Sequence, residues 1–274
     1  MAEPAYPFFT VTRVPEARRA DVVLSRPEAV NALDERFWAD FPRLIADLEA
    51  DPTVRFVVFS GEGPHFCAGL DIKDFYQRHR ELIHGATGDL RQALYHRIRF
   101  MQSGFSALYH GQKIYLAALH GYCIGAGLDL AAACDLCLAS ADAKLSLREA
   151  RVGIVADLGS LQRLPARIGW ANTALLAYTG RDIDAQTAQG MGLVAQVADD
   201  KPALLAQTHA LVAEMAANPW HAVQGTKQAL RTSERLGADD GLERVALQNA
   251  AYLDSPDFRE VIQATLEKRA PKFQ

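Results

Sequence analysis

Residues 114–140 read Ile114-Tyr-Leu-Ala-Ala-Leu-His-Gly-Tyr-Cys-Ile-Gly-Ala-Gly-Leu-Asp-Leu-Ala-Ala-Ala-Cys-Asp-Leu-Cys-Leu-Ala-Ser140, and the parsing of this stretch decides the fold. It is long and mostly apolar, as a membrane span would be, yet His120, Asp129 and Asp135 interrupt it. An acid at the centre of a membrane helix costs about 2.5–3.5 kcal/mol on insertion scales. With Gly121, Gly125 and Gly127 as punctuation, the stretch reads as a buried strand over Ile114–Leu119, a glycine turn, a short helix over Leu128–Cys134 and a second strand over Leu136–Ala139.

Working outward, the same alternation repeats. Phe8–Val14 and Asp21–Ser25 are rich in β-branched and aromatic residues and read as a hairpin. Phe37, Trp38, Phe41, Leu44, Ile45 and Leu48 form one apolar helical face, with Asn31 or Asp34 as its cap. Val54–Phe59 is a further strand ending in Ser-Gly-Glu-Gly-Pro, and Lys144–Leu147 another short one. Alternating strands and helices predict an α/β core over residues 1–200. Beyond that, helical patterns run through Leu204–Met215, Ala222–Leu236, Gly241–Leu253 and Phe258–Lys268, so residues 201–274 read as a helical subdomain, its boundary near Asp200–Pro202.

Composition narrows the function classes. The chain has 274 residues, 49% hydrophobic and 23% charged, the profile of an ordinary globular protein. A net charge of -4 with no strong basic run gives no long-range attraction to nucleic acid or an anionic membrane. Cys67, Cys123, Cys134 and Cys137 lie in apolar stretches without the density of a secreted disulfide scaffold, which favours a reducing, cytoplasmic setting. The Cys134-x-x-Cys137 pair has no second pair and no thioredoxin-like surroundings, and the eight histidines show no metal spacing, so no metal is expected. The opening seven residues resemble neither a secretory signal nor a transit peptide, and the last residues carry no peroxisomal tripeptide.

Two short loops follow buried strands and present backbone amides beside small residues: Phe66-Cys-Ala-Gly-Leu-Asp71, and Gly125-Ala126-Gly127 at a helix start. Glycine allows close backbone approach, and amides at a helix start carry partial positive charge, so the two loops together can cradle an oxyanion. Asp129 follows in the first turn of the helix, Glu149 twenty positions later and Asp157 eight after that. Each acid has an ordinary structural role open to it. Asp129 can complement the helix dipole, Glu149 can pair with Arg148 or Arg151, and Asp157 can cap a helix beginning at Leu158. Apolar neighbours around Asp129 and Asp157 favour the alternative, because carboxyls in such surroundings gain raised pKa values suited to proton transfer.

The run Phe66–Asp71, the run His120–Leu130, Ala-Cys-Asp135, and Gly159-Ser-Leu-Gln-Arg-Leu-Pro165 resemble the successive signatures of the enoyl-CoA hydratase/isomerase, or crotonase, superfamily. Ser25-Arg-Pro-Glu-Ala-Val-Asn-Ala-Leu33 and Glu267-Lys-Arg-Ala-Pro-Lys-Phe273 extend the likeness to both ends. The resemblance implies a spiral of strand-strand-helix (ββα) turns with a carboxy-terminal helical trimerisation region, assembling as a homotrimer or a hexamer of two trimers. It places paired oxyanion amides at Leu70 and Ala126, the latter a glycine in most relatives, so that its methyl is expected to narrow the hole. It implies acyl-CoA contacts at Arg26, Asn31, Ala32, Ala68, Gly69, Asp71, Ile72 and Gly125, and a reach to a neighbouring subunit's ligand by Lys268.

Within the superfamily, a hydratase presents glutamates at positions 129 and 149, whereas Asp129, Glu149 and Asp157 match the three acids of Δ3,5-Δ2,4-dienoyl-CoA isomerases. That reading makes Glu149 the base at C2, Asp157 the acid at C6 and Asp129 the group that positions or tunes them. The helical region Phe75–Tyr109 is expected to line the acyl pocket, although Phe100, Met101 and Phe105 read equally well as core. Coenzyme A is then part of the substrate, and no separate cofactor is required. The alternatives are a 2-enoyl-CoA hydratase and a non-catalytic acyl-CoA-binding member.

Overall fold

The computed structural model describes residues 6–273; the first five residues and Gln274, parts of the terminal segments read for targeting signals, lie outside the described residues. Strands β1 (Phe9–Val14) and β2 (Arg19–Leu24) pair antiparallel, with Phe9 opposite Leu24. Ala20, Val22 and Leu24 of β2 alternate inward, as a strand with one buried face requires. A 3-10 turn over Pro27–Ala29 then leads to α1 (Glu35–Ala50). Of the two candidate caps, Asp34 serves α1 by accepting from the Arg36 and Phe37 amides.

β3 (Phe56–Gly61) is buried along its whole length, and α2 (Ile72–His84) and α3 (Gly88–His110) follow it. The decisive stretch resolves into β4 (Ile114–Leu119), β5 (Tyr122–Ile124), α4 (Ala126–Ala133) and β6 (Leu136–Ser140). Next come β7 (Lys144–Ser146), α5 (Ser160–Thr179), β8 (Asp182–Asp184), α6 (Ala185–Gly190), β9 (Gln196–Ala198) and α7 (Lys201–Ala216).

Six strands form one sheet in the order β1-β2-β3-β4-β6-β9, parallel apart from the hairpin, and β5-β7-β8 form a second. The chain therefore advances by repeating one step: a strand in the large sheet, a strand in the small sheet, then a helix. β4-β5-α4 and β6-β7-α5 are two such steps. β3 begins an earlier one, in which the small-sheet strand is reduced to a parallel bridge from Cys67 to Cys123. This is the expected α/β spiral of ββα turns. Its core is apolar and aromatic, with Phe37 stacked on Phe41 at 4.8 Å and Phe105 against Phe41 at 5.2 Å.

The chain divides into two compact units, the first ending at His209 and the second beginning at Ala210. The division falls inside α7, beyond the sequence expectation near Asp200–Pro202, because the first turns of α7 are tied to the first unit. Lys201 Nζ donates to the carbonyls of Gly61 and Gly63, Thr208 is buried, and His209 lies 3.3 Å from Asp21. The second unit holds α8 (Trp220–Leu236), α9 (Ala238–Tyr252) and α10 (Pro256–Glu267). Among the described residues, no helix is long and apolar enough to cross a membrane.

Candidate active site

The two glycine loops meet because the first is bound along β5, the strand that leads into the second. Cys67 donates its amide to Tyr122 O and accepts at its carbonyl from Ile124 N, which zips the first loop onto β5. Gly69 has φ +92°, and a Cβ there would lie 2.8 Å from Ile124 O and 3.4 Å from Ala126 N. Glycine is thus needed at 69 both for the backbone turn and for contact between the loops. Gly125 has φ +54° and precedes α4, and Gly127 presses against Cys67.

Each candidate oxyanion donor follows one of these left-handed glycines. The neighbouring amides are taken: Gly69 N donates to Cys67 Sγ, Asp71 N to Leu33 O, and Gly125 N to Ser146 O. Among the described residues, neither Leu70 N nor Ala126 N is donated to a backbone carbonyl in a turn or loop. Ala126 opens α4, where helix amides lack an intrahelical acceptor. Its methyl, expected to narrow the hole, is buried in the apolar core.

The three acids come from three successive segments. Asp129 sits in the first turn of α4, 1% exposed, and one of its oxygens accepts from both the amide of Ser160, at 2.6 Å, and the Ser160 hydroxyl. Burial drives its carboxyl up to about 7, the Ser160 hydroxyl bond pulls it back, and repulsion from Glu149 adds to the rise. Glu149 begins a 3-10 turn after β7. Its Oε1 lies 3.1 Å from where a Cβ on Gly125 would stand, and its Oε2 is buried with no hydrogen-bond partner among the described residues. Burial, followed by the nearby Asp157 charge, raises its carboxyl.

Asp157 retains contact with solvent, yet the atoms crowded around it raise its carboxyl by desolvation. The structural roles open to Glu149 and Asp157 in the sequence are not the ones taken. Arg148 turns to Asp182 at 2.7 and 2.8 Å, and Arg151 Nε donates to Thr179 O. α5 begins at Ser160 behind a Gly159 cap, not at Leu158 behind Asp157. The Asp157 carbonyl accepts from Gln102 Nε2 of α3 at 2.5 Å, which holds the backbone of this loop.

The residues expected to contact acyl-CoA fall into distinct groups. Asn31 is fully buried, its amide donating to Glu62 O and His65 O while its oxygen accepts from Arg26 N. Arg26 Nη1 donates to Ala32 O and to Asp71, which also caps α2. These groups hold the first loop in place. Ala68 N donates to Val30 O, and Ile72 is 57% exposed at the start of α2. Lys268 lies in the second unit as the exposed, left-handed cap of α10. Of the expected pocket residues, Met101 and Phe105 are core and Phe100 is exposed.

Ser160 and Gln102 were missed in the sequence. Ser160 stands within the quoted run Gly159–Pro165, but a serine at a helix start reads as an ordinary cap, and Gln102 carries no local signal at all. His120 is buried against Gly61 O with its pKa lowered to about 4 by burial, and His65 stacks on Tyr122 at 4.4 Å. Among the described residues, no group of three or more His, Cys, Asp or Glu is placed to hold a metal ion.

The sequence model of the enoyl-CoA hydratase/isomerase family matches residues 19–274. The chain is 36% identical over 253 residues to the peroxisomal Δ(3,5)-Δ(2,4)-dienoyl-CoA isomerase of Arabidopsis thaliana, covering 92% of this chain and 91% of that protein. It is 38% identical over 260 residues to the mitochondrial enzyme of the same name from Dictyostelium discoideum, covering 93% and 87%. The crystal structure of an enoyl-CoA hydratase from Bacillus anthracis superposes with a TM-score of 0.86 at 26% identity, covering 97% of this chain and 98% of that one. The chain belongs to the enoyl-CoA hydratase/isomerase family.

Proposed function

We propose that this chain isomerises 3,5-dienoyl-CoA to 2,4-dienoyl-CoA. The observation that carries the reading is a succession of three carboxyls, all with raised pKa, in which Glu149 feels the charge of Asp157, Asp129 feels that of Glu149, and Glu149 lies by the Gly125 turn while the neighbouring arginines point elsewhere. Moving both double bonds takes a proton from C2 and delivers one to C6. Two separate proton handlers are needed, and a hydratase-type pair acting on one water would leave Asp157 without a task.

Glu149, with its orphaned buried oxygen, takes the C2 proton. The resulting dienolate charge rests on the thioester oxygen, which the Leu70 and Ala126 amides stabilise; one such donor is worth about 3 kcal/mol. Asp157, whose raised pKa keeps its proton to higher pH, protonates C6. Asp129 tunes the pair through its charge. The protons balance without oxidant, reductant or metal, and coenzyme A enters as part of the substrate.

A homotrimer or hexamer belongs to the same reading. Trp170 and Tyr178, eight residues apart on α5 and about three-quarters exposed, suit an interface between copies. A reducing, cytoplasmic setting is supported by four free, buried cysteines, while the names of the two isomerases above place them in the peroxisome and mitochondrion.

The test follows conjugated dienoyl product by absorbance from a 3,5-dienoyl-CoA, on wild type and Asp157→Asn, beside 2-enoyl-CoA hydration. Isomerisation falling about 10²–10⁴-fold in the variant is the expected result. Brisk hydration with no isomerisation by the wild type would replace this reading with the hydratase.

A further inference from the structure

Asp129 and Glu149 are both anchored on the Gly125 turn. The Asp129 amide donates to Gly125 O at 3.0 Å, and Glu149 Oε1 lies 3.1 Å from where a Cβ on Gly125 would stand. Asp129, at 1% exposure, is shielded from solvent, so it acts on the chemistry through its charge. What fixes that charge is Ser160, itself fully buried, whose amide and hydroxyl both meet the same carboxylate oxygen. An amide can only donate, and a hydroxyl beside an oxygen already accepting one bond is best placed to donate as well.

We infer that Ser160 is a positioning residue for the proton transfer: its two donors hold the buried Asp129 carboxyl in place and favour its charged form beside Glu149, and so set how readily Glu149 takes the substrate's proton. The inference rests on the isomerase reading for its catalytic consequence and on the geometry alone for its effect on Asp129. Burial pushes Asp129 up and the Ser160 hydroxyl bond opposes it, so losing the hydroxyl leaves Asp129 protonated to higher pH. A neutral Asp129 repels the Glu149 charge less, and Glu149 becomes the weaker base.

The other groups facing the pair do not substitute for Ser160. Asp157 is a second negative charge, felt by Glu149. Arg163 of α5 lies nearby, but it donates to Leu158 O and sits over the Tyr109 ring of α3. The Cys123 thiol of β5, itself near Asp129, is pushed well above its usual range and stays neutral.

The test is the pH profile of kcat/KM for wild type, Ser160→Ala, Ser160→Thr and Asp129→Asn, together with a titration of the Asp129 carboxyl by ¹³C NMR in the full chain. Ser160→Ala should raise the Asp129 midpoint and move the acidic limb of the profile to lower pH, each by roughly 0.5–1 unit. Its plateau should fall roughly two- to tenfold through the weaker base. Ser160→Thr, which keeps the hydroxyl, should restore both, and Ser160→Ala on the Asp129→Asn background should move nothing further.

A lower plateau with an unmoved limb and an unmoved Asp129 midpoint would reduce Ser160 to a packing residue and overturn the inference. If the alanine variant does not fold, Ser160→Cys, a weaker donor of similar size, must shift the midpoint in the same direction. Should the wild type lack isomerase activity, the functional reading fails, while the NMR midpoint still decides the role of Ser160.

Discussion

Two polar clusters flank the glycine loops, and they treat their charges in opposite ways. In the cluster of Arg26, Asn31, Asp34 and Asp71, nearly every donor meets an acceptor: Arg26 bonds Asp71 at 2.7 Å and approaches Asp34 at 3.5 Å, while Asn31 is spent on three backbone groups. Burial would raise the Asp71 carboxyl, but the Asp74 amide and Arg26 together hold it below its ordinary value. In the cluster of Asp129, Glu149 and Asp157, burial wins, all three carboxyls are raised, and one Glu149 oxygen has no partner. The first pattern is how a fold stabilises a loop, and the second is how it keeps groups ready to exchange protons. Both clusters draw on signature stretches of sequence, the first through Arg26, Asn31 and Asp71 and the second through Asp129, so only their satisfaction separates scaffold from chemistry.

The largest effect that would sharpen this contrast comes from the loops between the clusters. Ala126→Pro removes one oxyanion amide at the first position of a helix, where proline is tolerated and its missing donor breaks no intrahelical bond. The isomerisation kcat should fall about 10²–10³-fold with little change in the unfolding midpoint. An unchanged kcat would remove Ala126 from the oxyanion hole.

On the satisfied side, Asn31→Ala should act mainly on stability. It deprives the carbonyls of Glu62 and His65 and the Arg26 amide of their partner, three part-buried bonds whose loss costs about 2–3 kcal/mol. It also places alanine at φ +54°, which adds about 1 kcal/mol. Denaturant titration should show the loss, with kcat of the folded fraction falling less than stability implies. A stable variant with a collapsed kcat would move Asn31 from scaffold to chemistry and break the comparison.

The spiral was legible because its decisive stretch carries glycines and acids at fixed places, and β4, α4 and β6 form close to where their patterns predict. Less legible were β5, β8 and β9, three residues each, too short for any period to register. The three acids could be singled out from their apolar neighbours, but whether Glu149 met Arg148 or stood alone was a question of three-dimensional direction. It was settled by Asp182, thirty-four positions downstream. Ser160 was hidden for a similar reason, since its partner is thirty-one residues upstream and its local context suggests only a cap.

The smallest predicted effect tests how the unsatisfied cluster is supported. Asp157 has a carboxyl left for chemistry on a backbone that is nonetheless held, through the bond from Gln102 to its carbonyl. An exposed hydrogen bond of this kind contributes at most about 1 kcal/mol, so Gln102→Ala should lower isomerisation by roughly fivefold at most. Gln102→Glu replaces the donor with an acceptor facing a carbonyl and should do worse than alanine. That ordering separates positioning from bulk, because glutamate fills the same volume as glutamine. If glutamate matched wild type while alanine lost activity, Gln102 would be filling space beside α3, and the Asp157 loop would owe its placement to the Gly159 turn alone.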